Sequence, residues 1–134
     1  MMVYLYAYLA TLAVFLPCDM VWLSTMASRL YRPTLGSILL SDANLPAAAT
    51  FYGFYPIGVV FFAVAPALKA GSLSQATLSG ALFGFFTYMT YDLTNQATLK
   101  NWTTQLTLID IGWGTLLGAI SATAAFWITS KFTA

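Results

Sequence analysis

Thr87–Gly114 reads TYMTYDLTNQATLKNWTTQLTLIDIGWG, a polar stretch set between two strongly apolar segments. It carries Asp92 and Asp110, with Asn95, Gln96, Lys100 and Trp102 between them. A short polar turn with apolar flanks predicts the end of one transmembrane helix, a hairpin, and the start of the next. Both aspartates then lie inside the membrane, close to the same surface. A third, Asp19, sits in the first apolar segment of the chain.

Composition supports a membrane setting. Of 134 residues, 60% are hydrophobic and only 7% charged, against about 25% charged in a soluble domain. A soluble globule of this size has too little interior to hide so much apolar surface, and the mean hydropathy is +0.78. These values predict a polytopic protein whose main partner is the lipid bilayer. The net charge of +1 excludes the basic patch that a nucleic-acid partner needs. One cysteine, Cys18, and no histidine exclude an internal disulfide, the usual zinc sites and a His-held haem. No Lys or Arg precedes Arg29, so the opening segment lacks the basic start of a signal peptide and is expected to remain as a helix.

Working outward, the apolar segments predict an all-α fold in a single domain over 1–134. It is an integral membrane bundle of four antiparallel transmembrane helices at about 3–27, 47–68, 74–96 and 105–129. At 1.5 Å per residue the first is about 37 Å long, and Pro17 frees the carbonyl of Ala13 within it. Arg29, Tyr31 and Arg32 suit a headgroup interface, and Leu35, Ile38, Leu39 and Leu40 add an apolar patch. A short interfacial helix is expected between the first two spans. Ser41-Asp42 with Pro46 is a plausible start for the second. Gly80 and Gly84 in the third span, and Gly114 and Gly118 in the fourth, give small-xxx-small lines. Such lines let backbones approach, within the bundle or in a homo- or hetero-oligomer.

Four antiparallel spans put the three aspartates in one half of the bilayer. Counted along the helices, Asp19 lies about 12 Å, Asp92 about 6 Å and Asp110 about 8 Å from the side of the long first loop. Trp22, Tyr55, Asn95, Trp102 and Trp113 share that layer. Asp19-x-x-Trp22 and Asp110-x-x-Trp113 form a short repeat in which each helix offers a carboxylate with an indole one turn away. No Lys or Arg lies within a span, so three unpaired anions repel unless a proton, a metal ion, a cationic ligand, Arg29 or Lys100 joins them. An all-oxygen set suits a hard cation. The bland alternative is that these groups are polar glue between helices.

Asp19, Trp22, Asp92, Asn95, Asp110 and Trp113 are thus the candidate ligand- or ion-binding residues. The leading reading is a small membrane protein that binds or passes a proton, cation or small polar molecule through a half-membrane pocket. A lipid-modifying enzyme, or its subunit, is the alternative, with Asp, Asn and Lys100 working on a headgroup. No nucleophile–base pair, metal motif or cofactor fingerprint supports it. A structural partner in a membrane complex is a third reading. Arg29, Arg32 and Lys100 against Lys69, Lys131 and the free amine lean the loop side slightly toward the cytoplasm.

Tyr8–Phe15 (YLAT-x-x-VF), Asp19–Trp22, Tyr31–Gly36 (Y-R-x-x-L-G), Tyr91–Trp102 (Y-D-L-T-N-x-A-T-L-K-x-W) and Asp110–Gly114 together carry a family resemblance. The chain resembles a family of small bacterial predicted membrane proteins classed as a domain of unknown function. That resemblance implies a four-helix protein of the bacterial cytoplasmic (inner) membrane, and it supplies no activity and no catalytic residue.

Overall fold

A computed structural model describes residues 2–133, which are mostly helical, with no strand among them. Helix α1 (Met2–Met26) runs through a π-helical turn, Ala27–Tyr31, into α2 (Arg32–Leu35) and a 3-10 turn, Gly36–Ile38. After a short loop come α3 (Leu45–Val59), a second π-helical turn at Val60–Val64, and α4 (Ala65–Ala70). α5 (Leu73–Thr98) and α6 (Thr104–Thr133) complete the chain. Three helical stretches, Met2–Ile38, Leu45–Ala70 and Thr104–Thr133, are long and apolar enough to cross a membrane. α5 is long but carries too many polar residues to join them by composition.

The separate interfacial helix expected after the first span does not form. Helical hydrogen bonding continues past Ala27 through the π-helical turn, with the Arg32 N–H bonded to the Ala27 carbonyl, as single π turns do inside longer helices. Pro33 follows in the first turn of α2 and supplies no N–H to the turn behind it. The chain leaves this helix at Gly36, whose φ of 58° and ψ of −123° suit only a residue without Cβ. α3 starts on Asn44, whose side chain accepts from the Ala47 N–H at 3.2 Å, rather than on Ser41-Asp42. Gly71, left-handed at φ 64°, ends α4, and Ser72 caps α5 by accepting from the Gln75 N–H at 3.1 Å.

The surface is apolar in a way water does not tolerate. Leu9, Val21, Phe54, Phe61, Phe62, Leu78, Phe86, Leu108 and Leu116 all stand exposed, as a lipid-facing belt requires. Many of the buried positions are small, beside a few large ones such as Phe15, Leu106 and Leu117. Ala7, Ala10, Ala122 and Ala125 form one core with Val59, Val60, Ala63 and Val64. α6 is the central element, packed by α1 and by α5. A Cβ on Gly84 would run into the Gly114 carbonyl, and one on Gly80 into that of Gly118. The four glycines are used inside the chain, backbone against backbone, which is the first of the two uses that their spacing allowed.

Candidate functional site

The loop-side half of the bundle is held by side-chain hydrogen bonds. Thr107 donates to Gln96 Oε1 at 2.7 Å and accepts from Trp102 Nε1 at 3.1 Å, which ties α5 to α6. Leu30 and Leu35 pack on Leu106 with Trp102 and Ile109 around them, so the extended end of α1 docks on the α5–α6 turn. Beside this contact lies a cavity of about 780 Å³. Asp19, Asp110, Trp22, Trp113, Tyr31 and Tyr52 are among the residues that line it, with Leu35, Ile38, Leu39 and Leu40 as apolar lining.

The two D-x-x-W motifs serve each other. Asp19, 5% exposed on α1, accepts from Trp113 Nε1 of α6 at 3.0 Å and from the Tyr52 hydroxyl of α3 at 2.6 Å. Asp110, 6% exposed on α6, accepts from the Tyr31 hydroxyl at 2.5 Å. That hydroxyl in turn accepts from Trp22 Nε1 at 2.9 Å. Each indole therefore supports the aspartate of the other motif, Trp113 directly and Trp22 through Tyr31. The two rings stack with centroids 4.5 Å apart and planes 3° from parallel. Every donor to these carboxylates is neutral, and Arg32, the only Lys or Arg on the cavity wall, is exposed at its rim.

Asp92 sits behind the wall. It is fully buried on α5, and neither of its oxygens has a hydrogen-bond partner among the described residues. Asp19 and Asp110 line the cavity, and Asp92 does not. Among the described residues no three Asp, Glu, Cys or His side chains gather to hold a metal ion. Asn95 is half-buried and does not line the cavity.

Sequence reasoning missed the roles of Tyr31 and Tyr52. Tyr31 read as an interfacial residue and Tyr52 carried no reading of its own, and only the position of α1 and α3 against the carboxylates reveals their role. Tyr55, bonded to Thr87 at 2.9 Å, and Tyr88 complete the aromatic wall.

Apolar helices around a carboxylate-bearing cavity define an all-helical membrane protein. Residues 4–127 match the family described as Predicted membrane protein (DUF2177), and the chain belongs to that family. No curated protein and no solved structure matches it.

Proposed function

We propose that the chain is a four-span antiparallel bundle, one domain over 1–134, whose loop-side half binds an organic cation with an apolar body. The span count draws on the length of α5 and on paired residues that run in opposite order. Gly80 meets Gly118 and Gly84 meets Gly114, while Gln96 meets Thr104; on α1 and α6, Asp19 meets Trp113. The likeness to small bacterial membrane proteins supports the bacterial inner membrane as its setting.

The observation that carries the reading is the pairing of two buried carboxylates, Asp19 and Asp110, with a cavity walled by aromatic rings and supplied with neutral donors alone. A buried carboxylate without a counter-charge is costly. An ammonium group between carboxylates and ring faces gains from both. The volume falls in the range of small-molecule pockets, roughly 300–1,000 Å³, and the apolar lining of Leu35, Ile38, Leu39 and Leu40 suits a carbon body rather than a bare metal ion.

Isothermal calorimetry on the protein in nanodiscs, with benzyltrimethylammonium and its neutral tert-butyl isostere, tests this. The cation should bind and the isostere should not, and Asp19→Asn should weaken the cation at least about ten-fold, or about 1.4 kcal/mol. Equal affinity for the two probes would overturn the reading.

A further inference from the structure

A second large hollow lies near the other end of the same helices. It is a groove of about 770 Å³ between α1 and the α3–α4 segment, and it shares no residue with the carboxylate cavity. Tyr4, Leu5 and Tyr8 line it from α1, and Ile57, Phe61 and Lys69 from the other side. Tyr4 lies about 22 Å along α1 from Asp19, at 1.5 Å per residue. Val60, in the π-helical turn, and Pro66, in α4, also line the groove. A π turn and a proline are the usual places where a helix leaves a straight course, so a gap against α1 is expected there.

The depth of the groove and its charge name an occupant. Leu45–Ala70 is long and apolar enough to cross a membrane, so Lys69 stands exposed at the interface end of that stretch. Ile57 lies about 18 Å back along it, against about 15 Å for half of a 30 Å hydrocarbon core. The groove is therefore one leaflet deep, with a cation at headgroup level and apolar side chains below. The Tyr8 hydroxyl is spent on the Gly53 carbonyl at 2.9 Å. Leu5 and Phe61 are exposed at the rim, so the opening faces lipid. Lys69 also lacks a counter-charge. The four acidic side chains are Asp19, Asp42, Asp92 and Asp110. Asp19 and Asp110 line the other cavity, Asp92 is sealed inside the bundle, and Asp42 precedes the opposite end of the Leu45–Ala70 stretch. Lys131, by contrast, lies 5.2 Å from the centre of the Trp127 ring. We propose that the groove holds one anionic phospholipid, its acyl chain along Phe61, Ile57 and Leu5 and its phosphate on Lys69. A lysine at the membrane surface attracts anionic lipid, and its carbon stem can lie along apolar surface while the charge stays at headgroup level. The site stands apart from the cation reading, since none of its residues lines the carboxylate cavity.

Native mass spectrometry tests this, on protein released from nanodiscs that mix phosphatidylglycerol and phosphatidylcholine with identical acyl chains. Phosphatidylcholine offers the same chain with the phosphate charge cancelled. One lipid per chain should survive release, with phosphatidylglycerol favoured about five-fold, the effect of one lysine on an anionic lipid. Lys69→Gln should abolish the preference, and Lys131→Gln should keep it. Ala65→Phe places a ring in the groove and should lower retention of both lipids. Equal retention of the two lipids by the wild type would overturn the proposal. So would an unchanged preference in Lys69→Gln, a lost one in Lys131→Gln, or unchanged retention in Ala65→Phe. A lipid-free dimer would assign the groove to a second copy of the chain instead. The comparison of the two lipids uses the wild type alone and so survives a variant that fails to fold.

Discussion

At the scale of single residues, Trp113 and Trp22 do different work despite their matching motifs. Trp113 donates straight to Asp19, whereas Trp22 reaches Asp110 only by way of Tyr31. A direct bond from an indole to a carboxylate in a low-dielectric site is worth about 1 kcal/mol net. A double-mutant cycle of Trp113→Phe with Asp19→Ala, read by thermal unfolding in detergent, should therefore give a coupling of about 1 kcal/mol. Trp22→Phe with Asp19→Ala should couple less, because Trp22 makes no bond to Asp19. Equal coupling in the two cycles would show that stacking, and not the hydrogen bond, links the motifs. The sequence showed each aspartate with an indole one turn away on its own helix. It did not show the exchange of partners, because that depends on the register of α1 against α6, which no periodicity within one helix encodes.

Whole elements carry the next layer of specificity. α5 and α6 touch backbone to backbone, so the same small substitution has opposite results at two glycines. Gly84→Ala forces a methyl onto the Gly114 carbonyl and should cost about 1–3 kcal/mol, the usual range for overpacking. Gly112 on α6 has nothing within 4 Å of a built Cβ. Gly112→Ala should be neutral or stabilise by up to about 1 kcal/mol, since alanine loses less freedom in a helix. Thermal unfolding of the two variants side by side decides it, and an unaffected Gly84→Ala would remove the close-packing account. The small-xxx-small lines were legible from spacing alone; that they face each other and not a second chain was not. The continuous helix through Arg29–Leu35 was hidden for another reason. Arg29, Tyr31 and Arg32 read as a headgroup interface beyond the first span, while the π-helical turn that carries the helix through them has no local signature.

For the molecule as a whole, the apolar surface was the most legible property, because the composition leaves too little interior to hide so many apolar residues. Phe61, Phe62 and Leu108 face outward accordingly. The count of spans turns on α5, whose polar face is occupied by Thr87, Asp92 and Gln96 in contacts with the rest of the bundle. In a Cys18→Ala background, Ser72→Cys and Thr133→Cys should react with a membrane-impermeant maleimide from one side, and Ser41→Cys and Asn101→Cys from the other. With Arg29, Arg32 and Lys100 weighing toward the cytoplasm, the second pair should be the cytoplasmic one. Labelling of Ser72→Cys and Asn101→Cys from the same side would mean that α5 does not cross.

The stacked indoles have a consequence in light. At 4.5 Å and 3°, two chromophores sit in van der Waals contact and their excited states mix, so Trp22 and Trp113 absorb and emit as a coupled pair. Trp102 and Trp127 lie elsewhere and keep the spectra of single indoles. Any motion that parts α1 from α6 uncouples the pair before it breaks the fold. The chain thus carries its own optical gauge, placed where its two motifs cross.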